Sequence, residues 1–572
     1  MSIATATVAP AATTSTGLPA YTGDWTHAQA AHLLRRTVLG PKRQEIWDAA
    51  NSGLAATLDQ LFEQPTLPSP PLNHFATDDP NVPVGSTWVN SPHVAGVDVG
   101  QYRWPSLRGW YFQTLFDAPC NITEKLTLFW LNHFGMSDVG EHRAQYQYLQ
   151  LFREIGLGSF QTMIERITVH PAMLRFLNGD YSTKWNPNEN YARELLELFT
   201  VQKGDQIGPG DYSNYTEQDI QVAARVLTGW RNRGMWSQED VPVESYWHEN
   251  WHHDGTDPNT GIVLGKQLSY HFNNEVIPNL GDQEYKYLIN IIFQQPETAR
   301  AICREFYRYF VHYEIDAAVE STVIEPLSQF MIANDFSVEM TLRNLFESAF
   351  FYEMAVRGPI IKNPYEFVIS ITRPMGGYSH LGLSLQDGST DLLQTKYDVG
   401  TAYHWWTNTM DMDFLYPPTV AGWPAYYQTP GFYRNWIGSA TLQRRRKMIN
   451  DMTNRGIWTR SEHDNDGDGN LDYEPRPFDW FGFINSLADG NPYDVNDVVD
   501  ECVTIFLPRE IDPAQFDALK EILTGGINDQ EWTLQYGDYR ANPNNPDITG
   551  PLENKIKQFF RALFSMAEFH LQ

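Results

Sequence analysis

Pro187-Asn188-Glu189-Asn190-Tyr191-Ala192-Arg193-Glu194-Leu195-Leu196-Glu197-Leu198-Phe199-Thr200 reads as a helix that a core must cover. Leu195, Leu196, Leu198 and Phe199 supply packing, while Asn190, Arg193, Glu194 and Glu197 fall on adjoining positions of one side, because residues three and four apart meet on a helix. Burying ionisable groups is unfavourable unless they are paired, hydrogen-bonded or metal-bound. The segment is therefore either a polar lock between two helices or a reaction centre. As a reaction centre, Glu194 and Glu197 would hold a divalent metal, or one of them would act as a base while Arg193 or Asn190 orients it.

The same helical spacing extends on both sides. It predicts helices over 24–38, with Thr26 as N-cap, and over 42–62, 107–116, 122–134, 144–156, 159–169, 188–202 and 217–229. Thr216 caps the last of these, with Asp219 three residues on. Further helices follow at 284–293, 296–311, 319–334, 337–345, 364–372 and 439–454. Alternating patterns are scarce, and only Tyr246-Trp247-His248 and Gly261-Ile262-Val263-Leu264 suggest hairpin pieces. The expected fold is mainly α: a large multi-helix globular domain with long irregular loops and few short strands.

Composition sets the outer limits. Hydrophobic residues at 42% and aromatics at 14% exclude a disordered chain. The excess of 70 Asp+Glu over 41 Lys+Arg, a formal charge of -29, repels phosphate backbones and anionic lipid, so no nucleic acid partner is expected. No stretch is apolar over the roughly 20 residues that cross a bilayer, which argues against membrane insertion. Cys120, Cys303 and Cys502 are too few and too far apart for a thiolate zinc knuckle, and at most one disulfide is available. No export signal is visible at the start. The expected division is a flexible arm over 1–22, a main helical domain over 23–455, an insertion over 456–480, and C-terminal helices over 481–572 packed on the main domain.

That insertion carries the most specific motif, Asp464-Asn465-Asp466-Gly467-Asp468-Gly469-Asn470-Leu471-Asp472-Tyr473-Glu474. Alternate oxygen ligands with glycine at the sixth position match a calcium loop. Asp464, Asp466 and Asp468 would give side-chain oxygens, Asn470 its carbonyl and Asp472 a carboxylate. Pro475 stands where a calcium-binding hand has its twelfth-position glutamate, so the loop reads as isolated and structural rather than regulatory.

Two more polar clusters sit in apolar or aromatic surroundings. His133 ends Leu126-Thr127-Leu128-Phe129-Trp130-Leu131-Asn132-His133-Phe134, and is either a satisfied core histidine or a ligand. Trp247-His248-Glu249-Asn250-Trp251-His252-His253-Asp254-Gly255 gathers three histidines and two acids in a loop. His32, beside Arg35 and Arg36, is a weaker candidate. Nucleophile-elbow, phosphate-loop, dinucleotide and HExxH patterns are absent.

Several of these segments, taken in order, resemble the bacterial family called domain of unknown function 1800. They are Ala31-His32-Leu33-Leu34-Arg35-Arg36, Glu124 to Phe134, Asn188 to Thr200, Ala223 to Trp230, His253-Asp254-Gly255, Lys362-Asn363-Pro364-Tyr365-Glu366, Pro418 to Trp423 and Trp436 to Leu442. The resemblance implies a mostly helical protein, exported (periplasmic or secreted), with a sulfatase-like partner protein. It leaves the calcium loop as an insertion.

Two functional expectations follow. In the first, His133, Asn190, Arg193, Glu194, Glu197, His253 and Asp254 converge on one pocket for metal-assisted or acid/base chemistry, with calcium structural and a second divalent metal at that pocket. There His133, Glu194, Glu197 and His253 are ligands or bases, Arg193 holds an anion and Asp254 orients. In the second, the same groups brace helices. The aromatic loops Tyr403-His404-Trp405-Trp406 and Trp423-Pro424-Ala425-Tyr426-Tyr427 then contact a partner or glycan.

Overall fold

The computed structural model describes residues 17–64, 66–75, 79–137, 139–376, 390–427, 432–460 and 473–572. Helices dominate, and their ends follow the capping chemistry of the sequence. Thr26 opens α1 (His27–Thr37) with a capping box completed by Gln29. Gly53, at φ +85°, then breaks the expected helix over 42–62 into α2 (Arg43–Ser52) and α3 (Leu54–Leu61). A left-handed residue cannot continue a helix, and glycine adopts that conformation without steric cost.

Next come α4 (Gly100–Asp117), α5 (Thr123–His133), α6 (His142–Ile155), α7 (Phe160–Thr168) and α8 (Pro171–Phe176). α4 starts before the expected 107 because Pro105 is accommodated inside it rather than ending it. α9 (Glu189–Glu197) stops short of the expected 202: the Leu198 and Phe199 N–H groups both turn back to the Glu194 carbonyl. α10 (Glu217–Val226) has the expected Thr216–Asp219 box, and α11 (Glu284–Phe293) and α12 (Pro296–Phe310) complete the first half.

The second half holds α13 (Ala317–Val319), α14 (Glu325–Ala333), α15 (Val338–Glu347), α16 (Pro364–Thr372), α17 (Thr390–Thr409) and α18 (Pro424–Tyr427). It ends with α19 (Ser439–Asn454), α20 (Trp480–Asn485), α21 (Val495–Phe506), α22 (Pro513–Thr524), α23 (Asp529–Ala541) and α24 (Pro546–Ser565). Among the described residues strands form only two-stranded antiparallel sheets: β1 (Gln206–Gly208) with β2 (Asp211–Tyr212), β3 (Trp230–Arg233) with β4 (Glu244–Trp247), and β5 (Ile457–Arg460) with β6 (Tyr473–Arg476). Trp230 faces Trp247 across the second sheet. The stretch 261–264 is not a strand; Val263 makes a single bridge to Thr256.

One continuous hydrophobic cluster runs from Leu18 to Phe569. Its aromatic centre stacks Trp130 on Phe134 and Phe160, with Phe306 edge-on. The C-terminal helices share this cluster: α24 packs on α19 and α22, and α21 on α1. The described end of the expected arm is docked rather than free, since Leu18 N–H donates to Asn344 Oδ1 at 3.0 Å and Tyr21 N–H to the Glu347 carbonyl at 2.7 Å. Among the described residues no helix is long and apolar enough to cross a membrane. Cys120, Cys303 and Cys502 are all free thiols.

Candidate functional site

The polar side of α9 closes on its neighbours. Arg193 grips Glu217, at the start of α10, through two hydrogen bonds of 2.8 and 2.7 Å. Glu197 accepts the Tyr215 hydroxyl at 2.7 Å and lies 3.5 Å from Lys203 Nζ. Burial and the nearby Glu197 push the Glu194 carboxyl upward. Asn190 faces solvent. Arg193 therefore bridges α9 to α10 rather than holding a free anion, and the arrangement is the interhelical lock.

His133 ends α5 among rings, with Phe129, Phe134, Phe160 and Phe199 all within 6.4 Å of its own. Burial holds its imidazole down to about 4, opposed by a hydrogen bond with the Phe199 backbone, and its buried Nε2 has no partner. Among the described residues no hydrogen bond or ion pair joins His133 or His253 to Glu194 or Glu197. None of the described His, Cys, Asp or Glu side chains form a group of three able to hold a metal ion. The calcium-loop residues Asp464, Asp466, Asp468, Asn470 and Asp472 lie outside the described residues, in the stretch of chain between β5 and β6. The aromatic loops expected to contact a partner are mostly interior: Tyr403, His404, Trp406 and Trp423 are buried, leaving Trp405 half exposed. Tyr403, His404 and Trp406 are buried because α17, which carries them, lies along α4.

His253 belongs to a different feature, an open cleft of about 180 Å³ between the start of α9, α10 and the loop after His252. Lys184, Trp185, Glu189, Arg225, His253 and Asp257 provide its chemistry. The loop is pinned from behind: Lys266 Nζ donates to Glu284 at 2.5 Å, and His252 Nε2 sits 3.1 Å from the same carboxylate. Asp219, fully buried, accepts from both the N–H and hydroxyl of Ser269 at 2.7 and 2.6 Å, tying the following segment to α10.

His253 Nδ1 accepts the Gly255 N–H at 2.9 Å, so the neutral ring carries its proton on Nε2. Burial, then Arg225 and Lys266, hold its pKa below the ordinary histidine value. The Gly255 N–H, not Asp254, orients the ring; Asp254 is exposed and accepts the Thr256 N–H at 2.8 Å. Asp257 accepts N–H bonds from Asn259 at 2.8 Å and Thr260 at 3.0 Å, which keep its carboxyl below the usual range.

Arg225 is the unusual member. Its Nε is buried without a partner, and among the described residues its guanidinium makes no hydrogen bond or salt bridge; its field couples to Glu189. Lys184 Nζ lies over the half-exposed Trp185 ring, 4.7 Å from the centroid. The cleft thus offers two cations without ion-pair partners, an imidazole N–H, an aromatic face and two carboxylates. Sequence reasoning found His253 here and missed Arg225, Lys184, Trp185 and Glu189. The available signal was an arginine in the otherwise apolar run Ala223-Ala224-Arg225-Val226-Leu227.

A family model described as "Protein of unknown function (DUF1800)" matches residues 32–571. No curated protein and no solved structure gives a significant match.

Proposed function

The chain belongs to the family of proteins of unknown function DUF1800, and we propose that its cleft binds a small anionic ligand about one ring in size and moves a proton on it. The observation that carries this is Arg225, a guanidinium with a buried, unpartnered Nε on the wall of an open cleft. A desolvated donor left unpaired costs roughly 1–3 kcal/mol, which an anionic group in the cleft would recover. Carboxylate, sulfate and phosphate all match the arginine fork, with Lys184 as a second positive charge. Trp185 provides the face on which a ring stacks.

His253, neutral at pH 7, donates from Nε2 to a ligand oxygen, and Glu189 is placed to take or return a proton. Asp257 stays ionised and favours a hydroxyl-bearing ligand through its free lone pairs. This keeps acid/base chemistry at His253 while assigning His133 to packing and Glu197 to the α9 lock. The test is a thermal-shift titration with monosaccharide carboxylates, sulfates and phosphates, using neutral parent sugars and inorganic sulfate as controls. At least one charged sugar should raise the melting temperature of the native chain and leave Arg225→Gln unmoved. A panel without any response, or an equal response in Arg225→Gln, defeats the proposal.

The loop at 464–472 forms the other part of the proposal, as a structural calcium site. Chelator should lower the melting temperature and calcium restore it, with no effect on the Asp466→Asn, Asp468→Asn double variant. Export and a sulfatase-like partner, which the family resemblance suggests, are proposed with it; cell fractionation and co-purification test both.

A further inference from the structure

Apart from the cleft, with which they share no lining residue, five cationic side chains gather near one carboxylate in the interior. Arg35 and Arg36 come from α1, Lys125 from α5, Lys362 from just before α16 and Arg445 from α19, and each is more than nine-tenths buried. Glu366, in the first turn of α16, is the acid that Arg36, Lys125, Lys362 and Arg445 share, while Arg35 feels the like charge of Arg357. Its two oxygens are already engaged: one receives the Lys125 ammonium, and the other accepts the Asn363 N–H at 2.8 Å. The arginines turn to neutral carbonyls instead. Arg35 Nη1 donates to Thr504, Arg36 Nη2 to Val356 and Arg445 Nη2 to Lys362, each at 2.6 Å. Carbonyls satisfy donors without cancelling charge, so the centre keeps a net positive charge away from water.

A small cavity opens beside this charge. Its polar lining is Arg35, Lys362, Glu366, Gln572 and Ser370, whose hydroxyl already donates to the Phe367 carbonyl at 3.0 Å, with Ile505 and Phe506 among its apolar walls. Gly40, at φ +61°, brings the chain after α1 so close to α16 that a Cβ there would lie 2.4 Å from the Ile369 carbonyl oxygen, and this sets the cavity's narrowness. Two donors lining it are unfilled. Among the described residues Lys362 Nζ makes no hydrogen bond, lying only against the Phe569 ring at 4.1 Å from the centroid. Gln572 Nε2 is buried without a partner, while its oxygen takes a 3.4 Å contact from Lys125.

The space is about 20 Å³ to a water-sized sphere, enough for roughly one small guest. A polyatomic anion does not fit. We propose that this cavity is a binding site for a single halide ion, held by Lys362 Nζ and Gln572 Nε2 with Arg35 alongside. Water would satisfy the same donors but leave the cations uncompensated, whereas a monatomic anion answers both demands. Without a guest, burial and the Arg35 charge push the Lys362 ammonium well below its ordinary range. The halide removes that pressure and so stabilises the fold. The site is independent of the cleft and of its ligand.

The experiment uses the full chain, exchanged into sodium gluconate and then titrated with chloride or bromide at constant ionic strength. The melting temperature should rise saturably with either halide and stay flat with sulfate. Lys362→Met should lose the halide-dependent rise, and Gln572→Leu should weaken the halide midpoint by about tenfold. On crystals of the native chain grown with bromide, an anomalous peak should lie between Lys362 and Gln572, which needs no variant to fold. Identical responses to halide and sulfate, retention of the rise in Lys362→Met, or a cavity without bromide density would overturn the site.

Discussion

The cleft beside α9 and the interior centre around Glu366 both hold cations that form no salt bridge among the described residues, yet they sit in opposite surroundings. At the cleft, Arg225 and Lys184 border an opening, so bulk water and a visiting ligand can compensate them. In the interior, Arg36, Arg445 and Lys362 have no such access, and with Lys125 they share the one carboxylate of Glu366. The contrast teaches that unpaired charge has different uses according to exposure. Near water it is affinity for a ligand that comes and goes; deep inside it is a demand for a resident counter-charge. The α9 lock is the third case, where Arg193 and Glu217 neutralise each other and ask for nothing.

The sharpest way to break this comparison is Glu366→Gln. It removes the carboxylate that Arg36, Lys125, Lys362 and Arg445 share, and leaving a buried charge uncompensated costs about 3–5 kcal/mol. Urea denaturation should show that loss; a change below about 1 kcal/mol would mean the interior is wetter than its burial indicates. Acid should come next. His133 is held down to about 4 inside the fold, so the unfolded chain, protonating near 6.5, takes up the proton first. Stability is full above pH 6.5 and falls as pH drops toward 4, by on the order of 3 kcal/mol for this residue alone. His170, held to about 3 by burial and Arg166, adds to the loss in the same direction. Urea midpoints at pH 7, 5.5 and 4.5 check it, and a flat profile contradicts the burial of these rings.

Arg225→Gln separates the regions from the other side. It should abolish response to charged sugars without lowering the unfolding free energy, because the substitution removes a buried donor that has no hydrogen-bond partner. Last is Arg193→Ala, which touches the lock and not the cleft. Its pair is about one-third exposed and worth no more than about 1 kcal/mol, and ligand response should persist.

Much of the helical frame was legible because apolar residues recur at three and four positions and because caps are local. Thr26 and Thr216 with Asp219 both act within one turn. The missing features were of two kinds. Gly53 breaks a helix that the apolar pattern runs straight through, since periodicity records faces and not left-handed residues. Partners, too, were hidden: Glu366 meets Lys125 across 241 positions, and Arg193 takes Glu217 rather than its own neighbour Glu197. A single sequence shows which groups are polar and not which ones meet. For the same reason His253 was picked out by its histidine-rich loop, whereas Arg225 sat unremarked in a helix, and His32, Arg35 and Arg36 read as minor when all three are buried.

The claim on which the functional reading turns is that Arg225 is reachable and uncommitted while the buried and locked arginines are not. Arginine-selective modification with phenylglyoxal, followed residue by residue by mass spectrometry on the native chain, tests it directly. Arg225 should react well before Arg193, with Arg36 and Arg445 untouched until the protein unfolds. Protection of Arg225 together with early modification of Arg193 or Arg36 would contradict the account.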